Sequence, residues 1–157
     1  MKRILLYILL MAAALMAPVE CADVGKLRPI ETVSVYREND WVVLRTDTDD
    51  VGIGSTAMQA LQNMKDSASG IIYLDTAEYL LVEKNAQDTA EELRSVLKDK
   101  VQLCLAAKEI EPADATKYLS AHGGLPQMKD WKSGQELPAL MQYGERLIIL
   151  KKVENSA

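Results

Sequence analysis

The chain reads as a single α/β domain, a mainly parallel sheet with helices on both faces. Three observations predict this. Short apolar runs of strand length recur along it: Trp41–Leu44, Ile71–Leu74, Val101–Leu105 and Leu147–Leu150. Between them lie stretches with helical spacing, such as Ala57, Ala60, Leu61 and Met64 at i, i+3, i+4 and i+7. Strand alternating with helix is the order that parallel β-α-β units with right-handed crossovers produce. At 157 residues and 48% apolar, the chain is long enough for one domain with a sizeable core. Phenylalanine is absent, so that core must come from Leu, Ile, Val, Ala and Met with a few Tyr and Trp.

Met1–Ala22 has the pattern of an export signal: Lys2 and Arg3, then the apolar run Ile4–Ala17, then Pro18. The run is short for a membrane span, and cleavage is expected after Cys21 or Ala22. A lipid anchor on Cys21 fits poorly with Glu20 before it. The expected compartment is secreted or periplasmic, with no membrane attachment after cleavage. Cleavage removes two basic residues and one acid from a chain of net charge −5 and leaves −6. That balance argues against a nucleic-acid partner. It also leaves one cysteine, Cys104, so no internal disulfide can form although the compartment would permit one.

Residues 23–39 read as an extended lead-in, with Pro29 breaking any helix. Glu31–Tyr36 alternates with Val33 and Val35 on one face, as an edge strand or a strap. Residues 40–157 form the domain proper. Trp41–Thr46 suits a central strand, followed by a polar, glycine-containing turn over Asp47–Gly54 and a helix capped by Ser55. Ile71–Leu74 is the second strand, and Leu80–Val82 either extends it or forms a separate short element. Asp88 with Glu91 spells a capping box for a second helix, whose apolar face is Leu93, Val96 and Leu97. Val101–Leu105 is the third strand. Pro112 opens a third helix that ends at Gly123-Gly124. Pro126–Gln135 is loop, Pro138 opens a short fourth helix ended by Gly144, and Arg146–Leu150 is the last strand.

Cys104 is the principal candidate for chemistry. Ligands of open parallel sheets bind beyond the carboxyl ends of the strands, and Cys104 stands near that end of its strand. Ala106 and Ala107 leave room around it, and a helix N-terminus or Lys108 would favour the thiolate. The other reading is a buried cysteine acting as a small hydrophobe. Asp47, Asp49 and Asp50 are most simply acidic turn residues, lacking the rest of a calcium loop. Gly52-Ile-Gly54 is too short to cradle a phosphate. His122, the sole histidine, fits a helix end, and no Ser/His/Asp set or His/Cys metal site can be assembled. No cofactor and no metal are expected. Trp131, Tyr143 and the methionines read as core and rim.

Val101-Gln-Leu-Cys-Leu-Ala-Ala-Lys108 resembles the motif around the sulfur-accepting cysteine of the DsrE/TusD-like sulfur-relay proteins. The order of the other elements is similar over roughly Trp41–Leu150. The resemblance implies a DsrE-like fold with Rossmann/flavodoxin-like layering, and a Cys104 that receives sulfur as a persulfide and passes it on. Sulfur-donor and sulfur-acceptor proteins and a homo-oligomer are then the implied partners. The family's basic segment after the cysteine is here Lys108-Glu-Ile-Glu-Pro112, and carboxylates beside a thiol oppose its ionisation. That departure favours the alternative: a non-catalytic DsrE-like binding or assembly module with the cysteine in the core.

Overall fold

The computed structural model describes residues 24–150. The export signal expected over Met1–Ala22 lies outside them. Nine strands stand among the described residues: β1 (Leu27–Pro29), β2 (Thr32–Glu38), β3 (Trp41–Thr46), β4 (Val51–Gly54), β5 (Ile71–Tyr73), β6 (Tyr79–Val82), β7 (Gln102–Ala106), β8 (Ala139–Tyr143) and β9 (Arg146–Leu150). The α-helices are α1 (Ala57–Ser67), α2 (Gln87–Leu93) and α3 (Pro112–His122). The class is α/β, and the main sheet is mixed. Its seven strands run in the order β4-β3-β2-β6-β7-β8-β9. The middle four, β2, β6, β7 and β8, pair in parallel, and an antiparallel hairpin closes each flank. Strands β1 and β5 form a separate parallel pair.

Alternation along the central strands sends side chains into two cores. Leu80, Val82 and Leu103 join Val33, Val35 and the α1 stripe of Ala57, Ala60, Leu61 and Met64 on one face, together with Leu93 of α2. Tyr79, Leu81 and Cys104 point to the opposite face, where Ala115 and Leu119 of α3 cover them. All four residues of β6 are buried, as a parallel strand between two helical layers requires. On the α3 side a polar tie joins the layers: Oγ1 of Thr116 lies 2.6 Å from Oγ1 of Thr32, a fully buried residue of β2.

Several elements differ from the reading of the sequence, each for a tertiary reason. The lead-in is no edge strap: β2 sits inside the sheet, antiparallel to β3 and parallel to β6. The Ile71 run stays out of the main sheet and pairs with Leu27–Pro29, while Tyr79–Val82 takes the central place. The expected turn through Gly54 contains β4, which pairs with β3 from Arg45↔Val51 to Val42↔Gly54. Thr56, not Ser55, caps α1, its hydroxyl accepting from the Gln59 N–H at 3.2 Å. The Asp88 capping box does not form. Helix α2 starts two residues earlier, at Gln87 with Ala86 as its N-cap, and Asp88 instead pairs with Arg37 at 2.6 Å. It also ends at Leu93, leaving Val96 and Leu97 beyond it. Pro138 opens no helix, because the Pro138 carbonyl accepts the Leu105 N–H at 2.8 Å and the next five residues extend the sheet. Pairing on both sides of β8 outweighs the helix propensity of Ala-Leu-Met-Gln.

The acidic turn is structural. The Asp47 carboxylate accepts the N–H groups of Glu31 and Thr32 at 3.2 and 3.3 Å. Asp50 pairs with Arg28 at 2.8 Å and accepts from Thr48. Asp49 supplies the left-handed position, at φ 64°. The glycines after it exist for packing, since a Cβ on Gly52 would sit 2.0 Å from the Ala60 carbonyl of α1 and one on Gly54 2.4 Å from the Ala60 N. We therefore expect Gly52→Ala to force α1 off β4 and to cost about 1–3 kcal/mol in urea-induced unfolding. An unchanged midpoint would show that the helix can yield there.

Candidate functional site

Cys104 stands in β7 opposite Leu81 of β6, with its side chain on the α3 side. Its neighbours in that core include Tyr79, Leu81, Ala115, Leu119 and Leu140, and none of its surface reaches solvent. Burial pushes its thiol up from 9.0 to about 12. No cation offsets this. Lys108, the candidate for stabilising a thiolate, lies 3.9 Å from Glu38 on the surface. The same burial, with the charges of Glu78 and Glu31 behind it, raises the phenol of Tyr79. His122 ends α3 as expected: its Nδ1 donates to the Tyr118 carbonyl at 2.7 Å, and its ring stacks on Tyr118 at 4.1 Å between centroids. Among the described residues no group of three or more His, Cys, Asp or Glu is arranged to hold a metal ion.

The small residues after Cys104 do leave room, on a different surface. Leu105, Ala106 and Ala107 line a crevice of about 500 Å³ at the carboxyl end of β7. Ala139, Leu140 and Met141 of β8 form its other wall, and Glu83, Lys84 and Glu109 stand at its rim. Its position follows from the register. Strand β8 pairs with β7 only at Leu105↔Ala139 and Ala106↔Leu140, so the rest of β8 and its hairpin partner project past the end of β7. The walls are apolar, as in sites that bind by burial. Cys104 does not line it. A second cavity, of about 710 Å³, lies behind the hairpin against α3, with Tyr118, His122, Glu109 and Arg146 among its lining residues.

The projecting hairpin escapes a reading of the sequence that places a helix over its first strand. Ala139, Met141 and Tyr143 share a face with Arg146, Ile148 and Leu150, and α1 and α2 do not extend over it. Met141 is 50% exposed, Leu150 53% and Tyr143 81%. Tyr143 thus belongs to neither core nor rim of the domain. Gly144, at φ 60°, makes the two-residue turn at the tip. The signal in the sequence was Gly144 between two five-residue runs. Trp131, by contrast, is core at 1% exposure, under the Arg94 guanidinium.

The fold and the site thus define an α/β domain with an apolar crevice at its strand ends and an apolar hairpin beside it. No protein-family model, no curated protein and no solved structure matches the chain.

Burial of Cys104 has a pH signature. Between about pH 9 and pH 12 the unfolded chain releases the thiol proton and the folded one keeps it, so stability falls as pH rises. We expect the native protein to lose about 1.4 kcal/mol per pH unit across that window relative to Cys104→Ala, whose denaturation curves lack this slope. Parallel pH profiles for the two proteins would place the folded thiol near its ordinary value.

Proposed function

We propose that this chain is a non-catalytic, DsrE-like α/β binding or assembly module in which Cys104 is a core residue, and that the crevice at the ends of β7 and β8 is where it binds. One observation carries this reading. The thiol is sealed under α3 with its ionisation pushed to about 12, while the residues that follow it open onto an apolar crevice. At neutral pH a thiol of that kind is thiolate in roughly one molecule in 10⁵, and the thiolate is the form that takes sulfur from a persulfide. The crevice lining contains no cysteine, serine, threonine or histidine. Its walls offer apolar area, which favours association by burial. The signal-like Met1–Ala22 supports export, so the module is proposed to work in a secreted or periplasmic setting.

The persulfide-carrier reading rests on the Cys-Leu-Ala-Ala resemblance and requires Cys104 to leave its core. Mass spectrometry of the folded protein after incubation with a persulfide donor separates the two. The binding-module reading expects no added sulfur and no alkylation of Cys104 until the protein is unfolded. A single added sulfur, removed by reductant and missing in Cys104→Ala, would overturn that reading in favour of the carrier.

A further inference from the structure

We infer that the module's partner is an extended, uncharged peptide segment that enters the crevice as a strand and pairs with the backbone of Gln142 on β8. This deepens the reading above and rests on it. A two-residue turn makes its flanking residues, Tyr143 and Arg146, a hydrogen-bonded pair, and bonded pairs then alternate along a hairpin. Met141↔Ile148 and Ala139↔Leu150 are therefore bonded within the hairpin, and the N–H and C=O groups of Leu140 and Gln142 point away from β9, toward β7. Ile149, opposite Leu140, has the same phase on the outer edge, where its N–H reaches the Tyr118 hydroxyl at 3.3 Å. Strand β7 takes up Leu140 and then leaves the sheet, because the ladder ends at Ala106↔Leu140. The Ala107 carbonyl, next in line, accepts the Ile110 N–H at 3.1 Å instead. No strand stands opposite Gln142, and among the described residues no turn or loop backbone bonds to its N–H or C=O. Its side-chain amide is turned to the hairpin tip, donating to the Gly144 carbonyl at 3.1 Å.

The crevice is the place in the sheet that β7 vacates. Strands β6 and β8 flank β7, and the crevice is lined on one side by Glu83 and Lys84, which follow β6, and on the other by Met141 and Gln142. Neighbouring strands lie about 4.8 Å apart, so this place admits one extended chain. Such a chain satisfies the open donor and acceptor of Gln142 together, as in strand addition to a sheet edge. Its alternate side chains meet different walls: one face lies over Leu105 and Met141, the other over Ala106 and Ile110. All four are apolar. With Lys84 standing among the rim carboxylates Glu83 and Glu109, backbone pairing and apolar side chains select the partner, not its charge.

The test uses the full chain and a pool of fluorescent pentapeptides with blocked ends and Val, Ile, Leu or Thr at the central positions. Saturable binding is expected by anisotropy, and bound peptide slows exchange of the Gln142 N–H by ~10-fold or more in NMR. Gln142→Pro deletes that donor and spares the hairpin's own bonds, since proline is tolerated where the N–H points out of the ladder. It is expected to weaken binding about 10-fold, the loss of one hydrogen bond. N-methylation of the tightest peptide has the same effect on the amides that face β8 and little on those between them. Ala107→Trp, a change at an exposed position, fills the crevice and abolishes binding. Circular dichroism confirms that each variant is folded. Absence of saturable binding at about 1 mM peptide overturns the inference. Binding that Ala107→Trp blocks but Gln142→Pro and N-methylation leave unchanged marks an occupant held by apolar area alone; it overturns strand pairing and leaves the crevice as the binding site. A sulfur adduct on Cys104 in the same samples would instead strike the binding-module reading.

Discussion

Strand β6 has no face left to water. Tyr79–Val82 is buried residue by residue, and it pairs in parallel with β2 on one side and β7 on the other. A strand in that position must have a layer on each side, and the rest of the architecture follows from it. Helices α1 and α2 close one face with Ala, Leu and Met, and α3 closes the other with Ala115 and Leu119. The fate of Cys104 is set by the same constraint. It is the neighbour of Leu81 in the next strand, so the cover that α3 provides for β6 also seals the thiol.

The flanks obey a looser rule. Antiparallel hairpins need only one face covered, and each flank of this sheet leaves apolar side chains on the other. On the β3–β4 side the helix comes so close that two glycines are required, and Asn63 of α1 donates to the Ile53 carbonyl at 2.6 Å. On the β8–β9 side, the Tyr118 hydroxyl accepts the Ile149 N–H at 3.3 Å. Each outer strand thus has a backbone group taken up by a side chain of its own domain, which blunts edge-to-edge growth of the sheet. Association through the hairpin's face remains open to it.

The candidate thiol and the crevice are adjacent but distinct, since Cys104 is buried and does not line the crevice. Ligand sites of open α/β sheets lie beyond the carboxyl ends of parallel strands, where this crevice is found. Its walls are supplied by Leu105, Ala106 and Ala107, residues adjacent to the cysteine in sequence. The thiol one residue earlier shares a core with Ala106 and Leu140 of those walls, but none of its own surface is exposed. The resemblance to a sulfur-accepting motif therefore falls on a thiol that is sealed within the core.

Much of this was legible from residue order alone. The α1 stripe, the Pro112 start and Gly123 end of α3, and the strand bearing Cys104 are local signals: helical periodicity, a proline at the first turn, a short β-branched and leucine run. Such signals are carried by neighbours along the chain, so no tertiary partner is needed to read them. The sequence also left two fates open for Cys104, core or reactive thiol, and could not choose between them. That choice depends on Leu119 and Ala115, residues more than ten positions away that only the packing of α3 brings over it. Likewise, Ala139–Tyr143 is composed like a helix and becomes a strand because β7 offers it an edge and Arg146–Leu150 folds back on it. Composition and the α/β alternation were determined by the sequence. The order of strands, the seal over the thiol, the crevice and the projecting arm were decided by pairing between distant segments, whose energies no local window of residues contains.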